Sequence, residues 1–121
     1  MDKEQALHQF WSSFGVIAYD ENTVPEDAEL PRITYSVTVD SFRATVPLTA
    51  SIWARSTSWK SVTDIMHSVA QRLSGGGQTI HFDNGLMWIR KGIPFAQRMS
   101  DPDDSIRRIL LNIEVEYISE E

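Results

Sequence analysis

With 121 residues and 41% apolar side chains, the chain fits one folded domain and is too hydrophobic to be disordered. It has no cysteine, which excludes a disulfide framework and thiolate metal sites and makes a reducing cytoplasm the simplest address. Eleven basic against 17 acidic side chains give a formal charge of −6, which argues against general affinity for nucleic acid, because that needs cations to displace counterions.

Residues 2 to about 14 are expected to form an amphipathic helix. Leu7, Phe10, Trp11 and Phe14 recur at the spacing that makes one apolar stripe. Asp2 and Glu4 suit the positive end of its dipole, and Gly15 is a natural stop. The acidic, amphipathic start does not resemble a secretory signal peptide. No apolar run approaches the roughly 18 residues that cross a bilayer, so no membrane partner is expected. A short apolar piece, Val16 to Tyr19, leads into "DENTVPEDAELP", read as an acidic surface loop.

Two alternating segments follow, as half-buried strands alternate. Ile33, Tyr35, Val37 and Val39 face one way, against Thr34, Ser36, Thr38 and Asp40. After a turn around Ser41 and Phe42, Ala44, Val46, Leu48, Ala50, Ile52 and Ala54 resume the pattern, which predicts an antiparallel hairpin. Pro47 lies on the outward phase of the second strand and cannot donate to a ladder, so an edge or bulge is expected there.

"STSWKSVTDIMHSVAQRLSGGG" reads as a helix capped by Ser58 or a neighbouring hydroxyl, with Val62, Ile65, Met66, Val69 and Leu73 buried and the glycines ending it. "QTIHFDNGLMWIRK" predicts a second hairpin turning at Asn84-Gly85. A last strand spans roughly Ile106 to Ile118. The order of elements predicts an α+β domain in which two helices pack on one face of a mostly antiparallel sheet.

Between the last strands, Gly92 to Asp104 reads as a long loop, and structureless loops beyond about a dozen residues are usually functional or disordered. Chemistry finds little support there or elsewhere. Asp64 with His67, or His81 with Asp83, could in principle ligate zinc or act as base and orienting acid, but no third ligand stands at recognisable spacing. They read as surface polar residues, and no nucleophile sits in an elbow motif. "SGGGQT" lacks the lysine and the strand-to-helix context of a phosphate loop. "DPDDS" lacks the glycine and closing glutamate of a calcium loop and reads as a turn opening a strand. No catalytic, cofactor or metal residue is assigned.

Trp53, Trp59 and Trp88, with Phe42, Phe95, Arg43, Arg55 and Arg98, fall at strand ends, turn tips and loops. These residue types are enriched where proteins bury surface against partners. Trp53 lies on the outward phase, and the tips Phe42 and Phe95 favour contact with another chain.

The segments "PEDAELPRITYSV", "LTASIWARSTSW", the helix ending "GGG" and "DNGLMWIRKGIPFAQRMSDPDDSIRRILLNIEVEY" together resemble the tail terminator family of long-tailed bacteriophages, also called tail-completion or tail-to-head joining proteins. The resemblance spans nearly the whole chain, and "WIRKGIPFAQ" before an acidic turn and a strand is its most distinctive part. It implies a structural virion protein of small α/β fold, assembled in the host cytoplasm. Such proteins form a hexameric ring that caps the tail tube, stops its growth and meets the head–tail connector, while DNA passes through the channel. Tube protein, connector and further copies of the chain are then the expected partners. Phe42, Arg43, Trp53, Phe95, Gln97, Arg98 and Met99 are the expected assembly residues, the last four by position in the matching motif. A head-completion or minor capsid protein at the neck is the alternative within phage particles, and a small-molecule-binding domain or enzyme the alternative outside them.

Overall fold

The computed structural model describes residues 1–38 and 45–119. Its first helix, α1 (Lys3–Trp11), opens with a capping box: Asp2 accepts from Gln5 N at 2.8 Å, and Gln5 Oε1 accepts from Asp2 N at 2.9 Å. A 3₁₀ turn, Ser12–Phe14, extends the helix to Gly15, so the stripe predicted from residues 2 to 14 is retained. Leu7, Phe10 and Trp11 are buried, each contributing about 1.5–3 kcal/mol of transfer free energy, and Phe14 packs against them.

The alternating segments form a six-stranded sheet in the order β1-β2-β3-β6-β5-β4. Its strands are β1 (Ile17–Asp20), β2 (Arg32–Tyr35), β3 (Thr45–Arg55), β4 (Gln78–Phe82), β5 (Gly85–Met99) and β6 (Ile106–Ser119). All pairings are antiparallel except β1 with β2, so the sheet is mixed. The piece read as Val16 to Tyr19 is the parallel edge strand.

The first hairpin pairs β2 with β3, but the β2 ladder stops at Tyr35 opposite Ala50. Its expected turn around Ser41 and Phe42 lies outside the described residues. Pro47 sits in a strand central to the sheet, yet it pairs only with Glu114 of β6, beyond the end of the β2 ladder. It therefore occupies a local edge, where a missing donor costs nothing.

The second helix, α2 (Lys60–Arg72), starts after Trp59, and Ser58 Oγ accepts from Lys60 N at 3.1 Å. Val62, Val69 and Leu73 are buried, while Ile65 and Met66 are partly so. The second hairpin turns through Asp83 and Asn84, with Asn84 at φ 65° and Gly85 already paired in β5.

Both helices pack on one face. α2 lies on β3 and β6, whereas α1 touches β1 and β4, the two edge strands. One short helix can reach both edges only because the sheet curls around it. The core fills that concavity with Ile33, Ile52, Met87, Ile89, Leu111, Ile113 and Val115.

The expected long loop is mostly strand. β5 continues through Ala96, Gln97, Arg98 and Met99, which pair with Leu111, Leu110, Ile109 and Arg108. Between Lys91 and Ala96 the ladder breaks into a bulge, in which residues 92 to 95 stand opposite Asn112 alone. Gly92 and Pro94 interrupt the alternation that marks a strand, which is why this stretch reads as a loop. The true connection is only residues 100 to 105.

Candidate assembly face

The convex face of the sheet carries neither helix. Strand alternation places Thr45, Pro47, Thr49, Ser51 and Trp53 of β3 on it, with Arg108, Leu110, Asn112, Glu114 and Glu116 of β6. Registers align Ile17, Arg32, Trp53, Arg108 and Met99 in one row across five strands. In that row Arg108 lies 4.6 Å and Arg32 5.7 Å from the Trp53 ring centroid. Trp53 Nε1 donates to Thr34 Oγ1 at 3.0 Å, and Arg108 Nε donates to Ser51 Oγ at 3.0 Å. Thr34 and Ser51 are therefore buried on a face that no helix covers, roofed by the stacked side chains.

At the other end of the face, Arg90 lies 4.4 Å from the Trp88 ring and donates from Nε to Glu114 at 3.1 Å. Glu116 accepts from Thr45 Oγ1 at 3.2 Å. Trp88 is pinned by a 2.7 Å bond from Nε1 to Gly76 O. Between the two ends lies a shallow recess bordered by Pro47, Ile93, Gln97, Leu110 and Asn112. Ile93 rises beside it, 99% exposed at the bulge.

Of the residues expected to mediate assembly, Trp53, Gln97 and Met99 share this face. Arg98 leaves on the helix side, where its guanidinium lies 4.7 Å from the Trp59 ring. Phe95 is not a loop tip: it is half-buried against the core, with Lys91 Nζ 5.5 Å from its ring. The bulge turns Ile93 outward in its place. Phe42 and Arg43 lie outside the described residues.

Arg32, Arg108 and Ile93 are the residues that sequence reasoning missed. The outward phase of β2 already marks Arg32, and an isoleucine between glycine and proline is a poor core position.

The histidine pairs make other contacts. Asp64 pairs with Lys60 at 2.7 Å, and the same contact holds the Lys60 ammonium above its ordinary pKa. Asp83 pairs with the N-terminal amine at 2.9 Å, and His8 Nδ1 shares a 2.8 Å hydrogen bond with Tyr35 OH. Among the described residues no cluster of three or more His, Asp or Glu could hold a metal ion. No helix among them is long and apolar enough to cross a membrane.

"DPDDS" is a turn. Asp103 Oδ1 accepts from Ser105 N at 2.9 Å and from Ser105 Oγ at 2.7 Å, and these bonds hold its carboxyl below the usual aspartate range. The arrangement offers stacked guanidiniums, carboxylates and an apolar projection, which are the means of gripping a surface. The chain matches no protein-family model and no curated protein.

Proposed function

We propose that the chain is a structural virion protein of tail terminator type, whose copies form a ring on the tail tube, end its growth and meet the head connector. The motif resemblance to that family motivates this reading. The observation that carries it furthest is Ile93, fully exposed on a bulge beside an uncovered sheet face. A monomer gains nothing by holding an isoleucine in water, whereas an interface gains its burial. The partners are then further copies of the chain, the tube protein and the connector, and the working location is the tail–neck junction. No catalytic step is part of this reading.

The test mixes purified chain with polymerising tail-tube protein of the same phage and images the product by electron microscopy. Tubes of limited length capped by rings are expected. Tubes that grow uncapped in its presence overturn the reading, and rings that join heads without arresting tubes move the protein to the head side of the neck.

A further inference from the structure

We infer that the helix-free sheet face pairs with the same face of a second copy, about a two-fold axis passing near Asn112. The inference rests on the assembly reading only in treating this face as a protein contact.

On β6 the outward residues run Arg108, Leu110, Asn112, Glu114, Glu116. Arg108 and Glu116 stand at equal distances on either side of Asn112, and Leu110 mirrors Glu114. At ~3.3 Å per residue the arginine and Glu116 stand roughly 26 Å apart. Turning a second copy by a half-turn lays its Glu116 on Arg108 and its Arg108 on Glu116. Leu110 then meets the aliphatic stem of Glu114. On the neighbouring strand β5, Arg90 pairs with Glu114, which leaves Glu116 as the acid without an ion pair at that end among the described residues. Arg32 and Trp53 extend the cationic end, and neither Arg32 nor Arg108 is ion-paired among the described residues.

The centre of the face is apolar. Pro47, Leu110 and Ile93 border the recess around Asn112, and Ile93 stands beside it as a projection. Under this two-fold, Ile93 stands opposite Asn112 and so lies near the axis, where the two copies' isoleucines meet beside the paired recesses. Apolar centre and charged ends match the usual anatomy of protein interfaces. An isologous contact needs one patch complementary to itself, and this face meets that requirement.

A face-to-face pair is distinct from the head-to-tail contact that closes a ring; Ile93 serves both readings, so the Arg108 and Glu116 reversals are what separate them. The test is sedimentation of the full-length chain at up to roughly 0.5 mM. The wild type should pair, more weakly as salt rises. Arg108→Glu or Glu116→Arg should each weaken pairing about tenfold or more, and the double reversal in one chain should recover it. Ile93→Asp should abolish pairing without touching either charged end.

A wild type that stays monomeric overturns the inference. So does pairing indifferent to these substitutions, or a face that captures polyglutamate or duplex DNA in place of a second copy. Capped tubes formed by the unpaired Glu116→Arg chain would leave the ring reading standing, and charge-dependent pairs without rings would leave only the pair.

Discussion

Arg107 and Arg108 are neighbours on β6 yet stack on different tryptophans, Arg107 at 5.5 Å from the Trp59 ring and Arg108 at 4.6 Å from the Trp53 ring. Successive strand side chains leave on opposite faces, so the pair ties the two sides of the sheet at one end. Arg98 and Arg32 join the same two rings, at 4.7 and 5.7 Å. On the open side this has a measurable consequence. Trp53→Phe keeps a ring for both guanidiniums and loses only the bond to Thr34, costing about 1 kcal/mol. Trp53→Leu loses the stacking as well, adding about 0.5–1 kcal/mol for each partly exposed cation. Denaturant midpoints should rank wild type, Phe, then Leu; equal midpoints for the two variants would remove the stacks as a source of stability.

The glycines after α2 separate backbone strain from crowding. Gly75 has φ 73° with open space where a Cβ would stand, so Gly75→Ala should cost about 1–2 kcal/mol for the left-handed backbone alone. Gly77 has φ 105°, and a Cβ there would strike the Ile89 carbonyl and come within 2.9 Å of Trp88 Nε1. Gly77→Ala should cost about 3 kcal/mol or more, because the strand backbone cannot retreat without breaking its ladder. Thermal melts decide it, and similar losses at both sites would contradict the close packing of the glycine turn on β5.

The bulge predicts an inversion of the obvious anchor. Ile93→Asp should leave the melting temperature within the small range of surface changes, about 0.5 kcal/mol, since its side chain touches nearly nothing. Phe95→Asp should destabilise by about 2 kcal/mol or more, because a carboxylate would replace a ring packed against the core. Equal stability of the two variants would return Phe95 to the role of exposed tip.

Glycine and proline on either side of Ile93 mark it as a poor core position, but nothing local shows that Phe95 turns back to the core. Where alternation runs unbroken, as from Ile109 to Val115, the inward residues are the buried ones. The α1 stripe and the Asn84 turn are legible for the same reason, since local periodicity and turn chemistry act over a few residues. At the bulge, four residues face one, which shifts the phase, and only the register against β6 shows that the strand resumes. The Arg32–Trp53–Arg108 row is likewise a product of pairing: its members lie on three strands far apart in the chain. Curling of the sheet, which lets α1 touch both edges, depends on the whole set of strands and leaves no trace in any one of them.

Alkaline pH should expose the tyrosines. Burial first, then Asp20 and Glu4, pushes the Tyr35 hydroxyl above its ordinary pKa, and burial followed by Glu4 does the same to Tyr117. A raised folded value means that the stabilising contribution is complete below the unfolded pKa of about 10 and is lost as pH rises through the folded one. Wild-type stability should therefore fall as pH rises past the ordinary tyrosine value of about 10. Tyr35→Phe should flatten part of that fall, at the cost of the His8 hydrogen bond at neutral pH. Urea midpoints measured across the range test this; an unchanged alkaline slope in the variant would assign the loss to other groups.

If the proposed tail terminator reading holds, a ring on a tail tube must let duplex DNA pass. Sliding requires that phosphates find few free cations, since each neutralised phosphate adds salt-dependent affinity and slows transit. The chain carries 17 acidic against 11 basic side chains. Several of the arginines are already engaged: Arg90 with Glu114, Arg55 with Asp103 at 3.5 Å, and Arg98 and Arg107 over Trp59. Acids crowd two connections, Asp20 to Glu29 and Asp101 to Asp104, and these are the candidates for a channel wall. Duplex DNA should consequently show no measurable affinity near physiological salt, in a fluorescence anisotropy titration of labelled duplex. Micromolar binding that weakens as salt rises would identify Arg32 and Arg108 as phosphate-binding cations, and replacing them by glutamine should then lower the salt slope by about one for each arginine removed.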